Sequence, residues 1–189
     1  MMPNNSRDPL TDRVEAIYQA IAVMEETEIS PASERVSFKD LISLVTEPDF
    51  NLNQTQWKII SATPRLKNDY DGLKSRYGFL TMPVAAAAAS LDGLKSRPFP
   101  GGVIDCFPSR ARPNQIIVVI AIEDVTKNPR MLILEGPAGF HKEILSEPDE
   151  DGRIQLIKDK NKPADNLFLL LVNDPLTKGT FLGAIDPDL

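Results

Sequence analysis

Pro98-Phe99-Pro100-Gly101-Gly102-Val103-Ile104-Asp105-Cys106-Phe107 divides the chain. Its prolines and glycines end any regular element that precedes them. Residues 103–107 are then the first of seven short apolar runs. The others fall at 116–123, 131–135, 140–145, 153–158, 167–173 and 180–185. Turn residues separate them, among them Gly136-Pro137-Ala138-Gly139 and Asp149-Glu150-Asp151-Gly152. Short strands at this spacing, with no helical pattern between them, predict an antiparallel β-sandwich or barrel-like sheet of six to seven strands. Asp151-Gly152, between Ile144-Leu145 and Ile154, reads as the turn of a hairpin.

Upstream of Pro98 the pattern is helical. Asp8-Pro9 is an N-cap followed by proline at the first helical position. Leu10, Val14, Ile17, Ile21 and Met24 then follow at steps of 4, 3, 4 and 3, one apolar face of a helix. The same spacing suits a coiled-coil seam of about two heptads, so this stripe is either packed within its own domain or a partner interface. Ser37 and Asp40 fit a capping box opening a second helix, with Phe38, Leu41, Ile42 and Val45 on one face. A third helix covers 55–62 around Trp57, Ile59 and Ile60 and stops before Pro64. Residues 65–80 read as a broken helix or a turn because of Asp71-Gly72. Pro83-Val84 and the alanines at 85–89 predict one more helix, or an Ala-rich connector, ending by Pro98. The expected class is α+β: three to four N-terminal helices, then strands. Residues 1–100 form a helical region and 101–189 a β-rich region, as two domains or as one with the helices packed on the sheet.

At 189 residues the chain can bury a core without cross-links. Its single cysteine, Cys106, allows no intrachain disulfide, which suits a reducing compartment. The first residues lack the apolar stretch of a secretory signal, and the apolar runs are strand-length, well short of a membrane span. The expectation is a cytoplasmic protein with no membrane partner.

The net charge of −6 is unevenly spread. Residues 64–113 carry eight Lys/Arg against four Asp, a net +4, leaving thirteen against twenty-three, or −10, elsewhere. Within that basic stretch Asp-Gly-Leu-Lys-Ser-Arg occurs twice, at 71–76 and 92–97. Each copy places a Lys and an Arg after a Gly, the chemistry of an anion-contacting turn. Two helix C-termini would explain the same residues, because cations favour the negative end of the helix dipole. The candidate anion-binding set is Lys74, Arg76, Lys95, Arg97, Arg110 and Arg112, facing a phosphate-bearing ligand or nucleic acid. Overall acidity opposes non-specific nucleic-acid binding.

Motifs for catalysis are missing from the pattern. Cys106 and His141 would make a nucleophile and base on neighbouring strands, but their flanks match no nucleophile elbow. One His and one Cys make a poor zinc site, and Asp149-Glu150-Asp151-Gly152 lacks the remaining ligands of a calcium loop. Gly136-Pro137-Ala138-Gly139 is no phosphate loop, and no dinucleotide or other cofactor motif occurs. The sequence therefore predicts a non-enzymatic interaction or assembly subunit with a protein partner or a second copy of itself. Anion binding is the alternative, and a Cys–His enzyme the third reading.

Overall fold

The helical and β-rich segments interleave more closely than the sequence pattern predicts. The computed structural model describes residues 35–84, 96–124, 126 and 128–183. The stripe from Leu10 to Met24, the alanine run and Lys95 lie outside the described residues. In chain order the elements are α1 (Phe38–Thr46), α2 (Gln54–Ala62), α3 (Pro64–Tyr77), β1 (Gly78–Met82), β2 (Ser96–Phe99), β3 (Gly102–Pro108), β4 (Gln115–Ile122), β5 (Pro129–Gly136), β6 (Gly139–Ile144), β7 (Arg153–Asp159), α4 (Pro163–Asn173) and β8 (Lys178–Gly183). The class is α+β, as expected.

Local signals account for the helix starts. Ser37 and Asp40 form the capping box, with Ser37 N–H donating to Asp40 Oδ2 at 2.7 Å and Asp40 N–H to Ser37 Oγ at 3.2 Å. Asn53 and Gln56 make a second box at α2. Proline at its first position and three i,i+4 or i,i+3 ion pairs carry α3 through Gly72. The segment read as a broken helix is thus continuous to Tyr77. It stops at Gly78, where a Cβ would lie 2.6 Å from the Lys74 carbonyl oxygen.

Among the described residues there are two antiparallel four-stranded sheets, ordered β1-β8-β5-β6 and β2-β3-β4-β7. Eight strands thus replace the six or seven expected, and the sheets are open rather than closed into a barrel. Pro100-Gly101 turns β2 into β3, with Gly101 at φ 89°, the position-three glycine of a type II turn. Pro98 fits within β2 because β2 is an edge strand. Asp151-Gly152 is a turn but not a hairpin, since β6 and β7 belong to different sheets.

The run at 167–173 also departs from the sequence pattern. It forms α4, not a strand. Pro163 at its start and Asp165 in its first turn are helix-opening residues, and a short apolar run alone does not separate a strand from a buried helix.

Two apolar clusters hold these layers. Leu132, Leu134 and Phe181 of the first sheet meet Ile104, Val118, Ile120 and Ile154 of the second, with Phe168 and Leu171 of α4. On the other face of the first sheet, Leu41, Leu44, Trp57, Ile60 and Tyr70 pack on Met131, Ile133, Phe140 and Leu182. Trp57 stacks on Phe140 at 4.7 Å and meets Tyr70 edge-on at 5.5 Å. Such ring pairs add about 0.5–1.5 kcal/mol each to the burial itself. β5 is therefore covered on both faces, which is why Met131-Leu132-Ile133-Leu134 shows no polar alternation.

Arg97 joins the second sheet to α4. It is 2% exposed and points inward from β2. Its Nη1 donates to the carbonyl oxygens of Leu171, Val172 and Asp174 at 3.4, 3.1 and 2.8 Å. Its Nη2 donates to Pro83 O at 3.2 Å and to Thr177 O. The last carbonyls of a helix lack intrahelical donors, and α4 has no basic residue in its last turn. Arg97 supplies both the donors and the positive charge that the helix end favours. This corrects the reading of Arg97 as the end of a helix: Ser96-Arg97 are strand, and the helix end they serve is another one. Arg97→Met is expected to lower the unfolding free energy by about 3–5 kcal/mol in urea denaturation, because several buried carbonyls lose their donors together. Arg76→Met, the matching exposed position of the first repeat copy, is expected to change it by less than about 0.5 kcal/mol.

Candidate functional site

The described members of the candidate anion-binding set do not share one surface. Lys74 is paired, Arg76 is exposed beside the Tyr77 ring at 5.8 Å, and Arg97 is inside. Lys95 is outside the described residues. Arg110 and Arg112 are exposed together in the β3–β4 loop.

Lys67, Asp71 and Lys74 lie on one face of α3, opposite Glu135 of β5. Lys74 Nζ is 2.6 Å from Glu135 Oε1 and 3.1 Å from Asp71 Oδ1, and Lys67 Nζ is 2.6 Å from Asp71 Oδ1. With Lys178 and Thr180 they border a groove of about 630 Å³. Burial pushes the Asp71 carboxyl up, but the hydrogen bonds from Lys67 and Lys74 more than reverse this and hold it below its ordinary value. Beneath them Tyr70 is fully buried, with Lys74 Nζ 4.5 Å from its ring centroid. Burial first, then the nearby Glu135 charge, holds the phenol well above its ordinary value. Lys67 and Lys74 of α3 are thus balanced by Asp71 of the same helix and Glu135 of β5, and Lys74 is engaged in fixing the helix to the sheet.

A second ionic cluster spans the other side of the fold. His141 and Glu143 sit two residues apart on β6, with His141 Nε2 2.8 Å from Glu143 Oε2. Lys158 of β7 is 2.6 Å from Glu143 Oε2 and 3.3 Å from Asp165 Oδ1 in the first turn of α4. Lys158 also lies 4.8 Å from the Phe168 ring centroid. Burial raises the Glu143 carboxyl, and the bonds from His141 and Lys158 outweigh it, leaving it lowered. Asp165 is likewise lowered on balance, by the Asp159 N–H and Lys158 against burial. The cluster fastens the edge strands of both sheets to α4. Cys106 lies on β3, in a different sheet from His141, so the two do not meet on neighbouring strands. Burial, with Asp105 adding to it, pushes the Cys106 thiol up to about 11, away from thiolate chemistry at neutral pH.

Lys142, on the opposite side of β6, caps α1. Its Nζ donates to Phe50 O at 2.8 Å and to Glu47 O at the helix end. Burial brings it down to about 8, partly offset by the Glu47 and Asp49 charges.

The outer face of the second sheet differs from all of these. Residues paired across antiparallel strands share a face, so Phe107, Ile117 and Ile157 form one cross-strand row. Phe107 and Ile157 are 49% and 60% exposed. Val103, Val119 and Ala121 continue the apolar surface, half-buried by their neighbours. Asp105, Gln155 and Arg153 are the polar members of the same rows. The β3–β4 loop and the β7–α4 turn meet at one end of the sheet, where Lys160 N–H donates to Asn114 O at 2.9 Å.

No protein-family model, curated protein or solved structure matches this chain. Among the described residues no helix is long and apolar enough to cross a membrane.

The outer-face row was not singled out by residue type, because isoleucine in a strand reads as core. Its signal is the run from Ile116 to Ile122, which never alternates with polar residues. In β5 the same signature accompanies cover on both faces, whereas in β4 only Ile116, Val118, Ile120 and Ile122 are buried.

Glu143 and Asp165 have lowered folded-state values, so the stability they contribute is present above the ordinary carboxylate range and lost as pH falls through those values. Lys158→Met leaves two partly buried carboxylates without their lysine and is expected to cost about 1–3 kcal/mol at pH 7. In urea midpoints the gap between wild type and this variant is expected to narrow below about pH 4, where both carboxylates protonate.

Proposed function

We propose that the protein is a non-catalytic interaction or assembly subunit that docks a protein partner on the outer face of the second sheet. The observation that carries this reading is β4. An eight-residue strand that is apolar throughout, apart from Gln115, presents half of its side chains to a face that no described element covers. Strands of that composition are ordinarily buried on both sides. The row of Phe107, Ile117 and Ile157 adds an aromatic and two aliphatic side chains, the types that carry interface energy when a partner excludes water. The ionic clusters at Lys74 and Lys158 support the reading indirectly, since their side chains pair within the fold and serve its layers.

Phe107→Asp with Ile157→Asp is expected to leave the thermal midpoint within a few degrees of wild type, because both side chains are largely outside the core. The same pair is expected to abolish chemical cross-linking to the partner that wild type captures from its host. Unchanged cross-linking would remove this face from consideration. Salt-dependent retention of RNA or polyphosphate that is lost with Arg110→Glu and Arg112→Glu would favour the anion-binding reading instead.

A further inference from the structure

The second sheet is electrically polarised along its strands. At the end formed by the β3–β4 loop and the β7–α4 turn, Arg110, Arg112, Lys160 and Lys162 are all exposed, against the half-buried Asp159. At the opposite end, β4 runs out into Glu123 and the turn before β7 carries Asp149, Glu150 and Asp151, all exposed, against Arg153. The two turns there are joined, since Ile122 N–H donates to Gly152 O at 2.9 Å. Four exposed cations thus stand at one end and five exposed carboxylates, Asp124 included, at the other, across the length of β4.

We infer that the partner docked on this face is a second copy of the chain. The inference rests on the proposed docking role and specifies its occupant. Two copies packed face to face, about a two-fold axis lying between them and across the strands, run antiparallel. The cationic end of each then lies over the acidic end of the other, while the apolar rows close against each other. The surface is self-complementary under this operation, which is what a two-fold interface requires. The alternative axis, along the strands, would set like charges together and is disfavoured. Size sets a condition: the strands of 4, 7, 8 and 7 residues, at ~4.8 Å spacing and ~3.4 Å per residue, give a face of about 400 Å². A stable interface covers about 800 Å² per partner, so the charged loops at both ends have to take part. Two sheets at their ordinary separation of about 10 Å bring those loops within reach.

The test is a charge swap read by sedimentation and light scattering of the full chain over micromolar concentrations. Wild type is expected to have twice the monomer mass. The pair Arg110→Glu with Arg112→Glu, and separately the pair Asp149→Lys with Glu150→Lys, are each expected to raise the dimer dissociation constant roughly tenfold or more. Mixing the two variants in equal amounts is expected to restore the dimer, because both end contacts are then between opposite charges. Ile157→Asp is expected to be monomeric with a thermal midpoint within a few degrees of wild type. A wild type that stays monomeric overturns the inference. If that monomer still cross-links to another protein through Phe107 and Ile157, the docking role stands without it; if it does not, both fall. A dimer that ignores these changes and is lost with Ile17→Asp would lie at the Leu10–Met24 stripe, and that too overturns the inference.

Discussion

The fold turns on a guanidinium inside the protein. Removing a cation from water costs several kcal/mol, and only good geometry offsets it. Arg97 meets that condition through five carbonyl oxygens gathered around the end of α4, of which Leu171 O and Asp174 O also accept backbone N–H groups, while its own Nε stays without a partner. Burial lowers its pKa, with the Asp174 charge opposing, yet an arginine stays protonated under such a shift. The other end of the same helix is fixed by Asp165 and Lys158. α4 is thereby tied at its start to β7 and at its close to β2, with its apolar side filling the space between the sheets. The two layers are held together by charges at both ends of one helix and by apolar contact along its length.

The repeated hexapeptide shows how little local sequence decides here. Ser75-Arg76 ends a helix in solvent, and Ser96-Arg97 is an edge strand facing the core. The flanks make the difference. Pro64 and the Lys67–Asp71 and Lys74–Asp71 pairs hold the first copy helical, whereas Pro98, Pro100 and Gly101 place Ser96-Arg97 of the second in a hairpin. Where a signal was chemical and local, it was readable: the Ser37–Asp40 box, the stop before Pro64 and the turn at Gly136–Gly139 all lie where the residues predict. Where it depended on cover from elsewhere, it was not. Leu167-Phe168-Leu169-Leu170 gives no period that separates strand from helix, and only the space between two sheets selects α4.

The same distinction applies to the surface. Counting charges found a basic stretch, but Arg97 and Lys74 drop out of it for reasons that only packing reveals. Lys160 and Lys162, far along the chain, join Arg110 and Arg112 because β7 pairs with β4. The apolar excess of β4 was visible as composition. Its meaning came from comparison with β5, a strand of similar make-up that has a layer on each side.

The place of β8 has a consequence for how the chain is made. It is the last described strand, yet it lies inside the first sheet, between β1 and β5. Until residues 178–183 leave the ribosome, two strands that will become neighbours of β8 present bare backbone edges, and the end of α4 has no closing loop. Such edges are templates for mispairing between nascent chains. Among the described strands, the first sheet is therefore completed only when β8 arrives, and its exposed edges belong to synthesis rather than to the folded state.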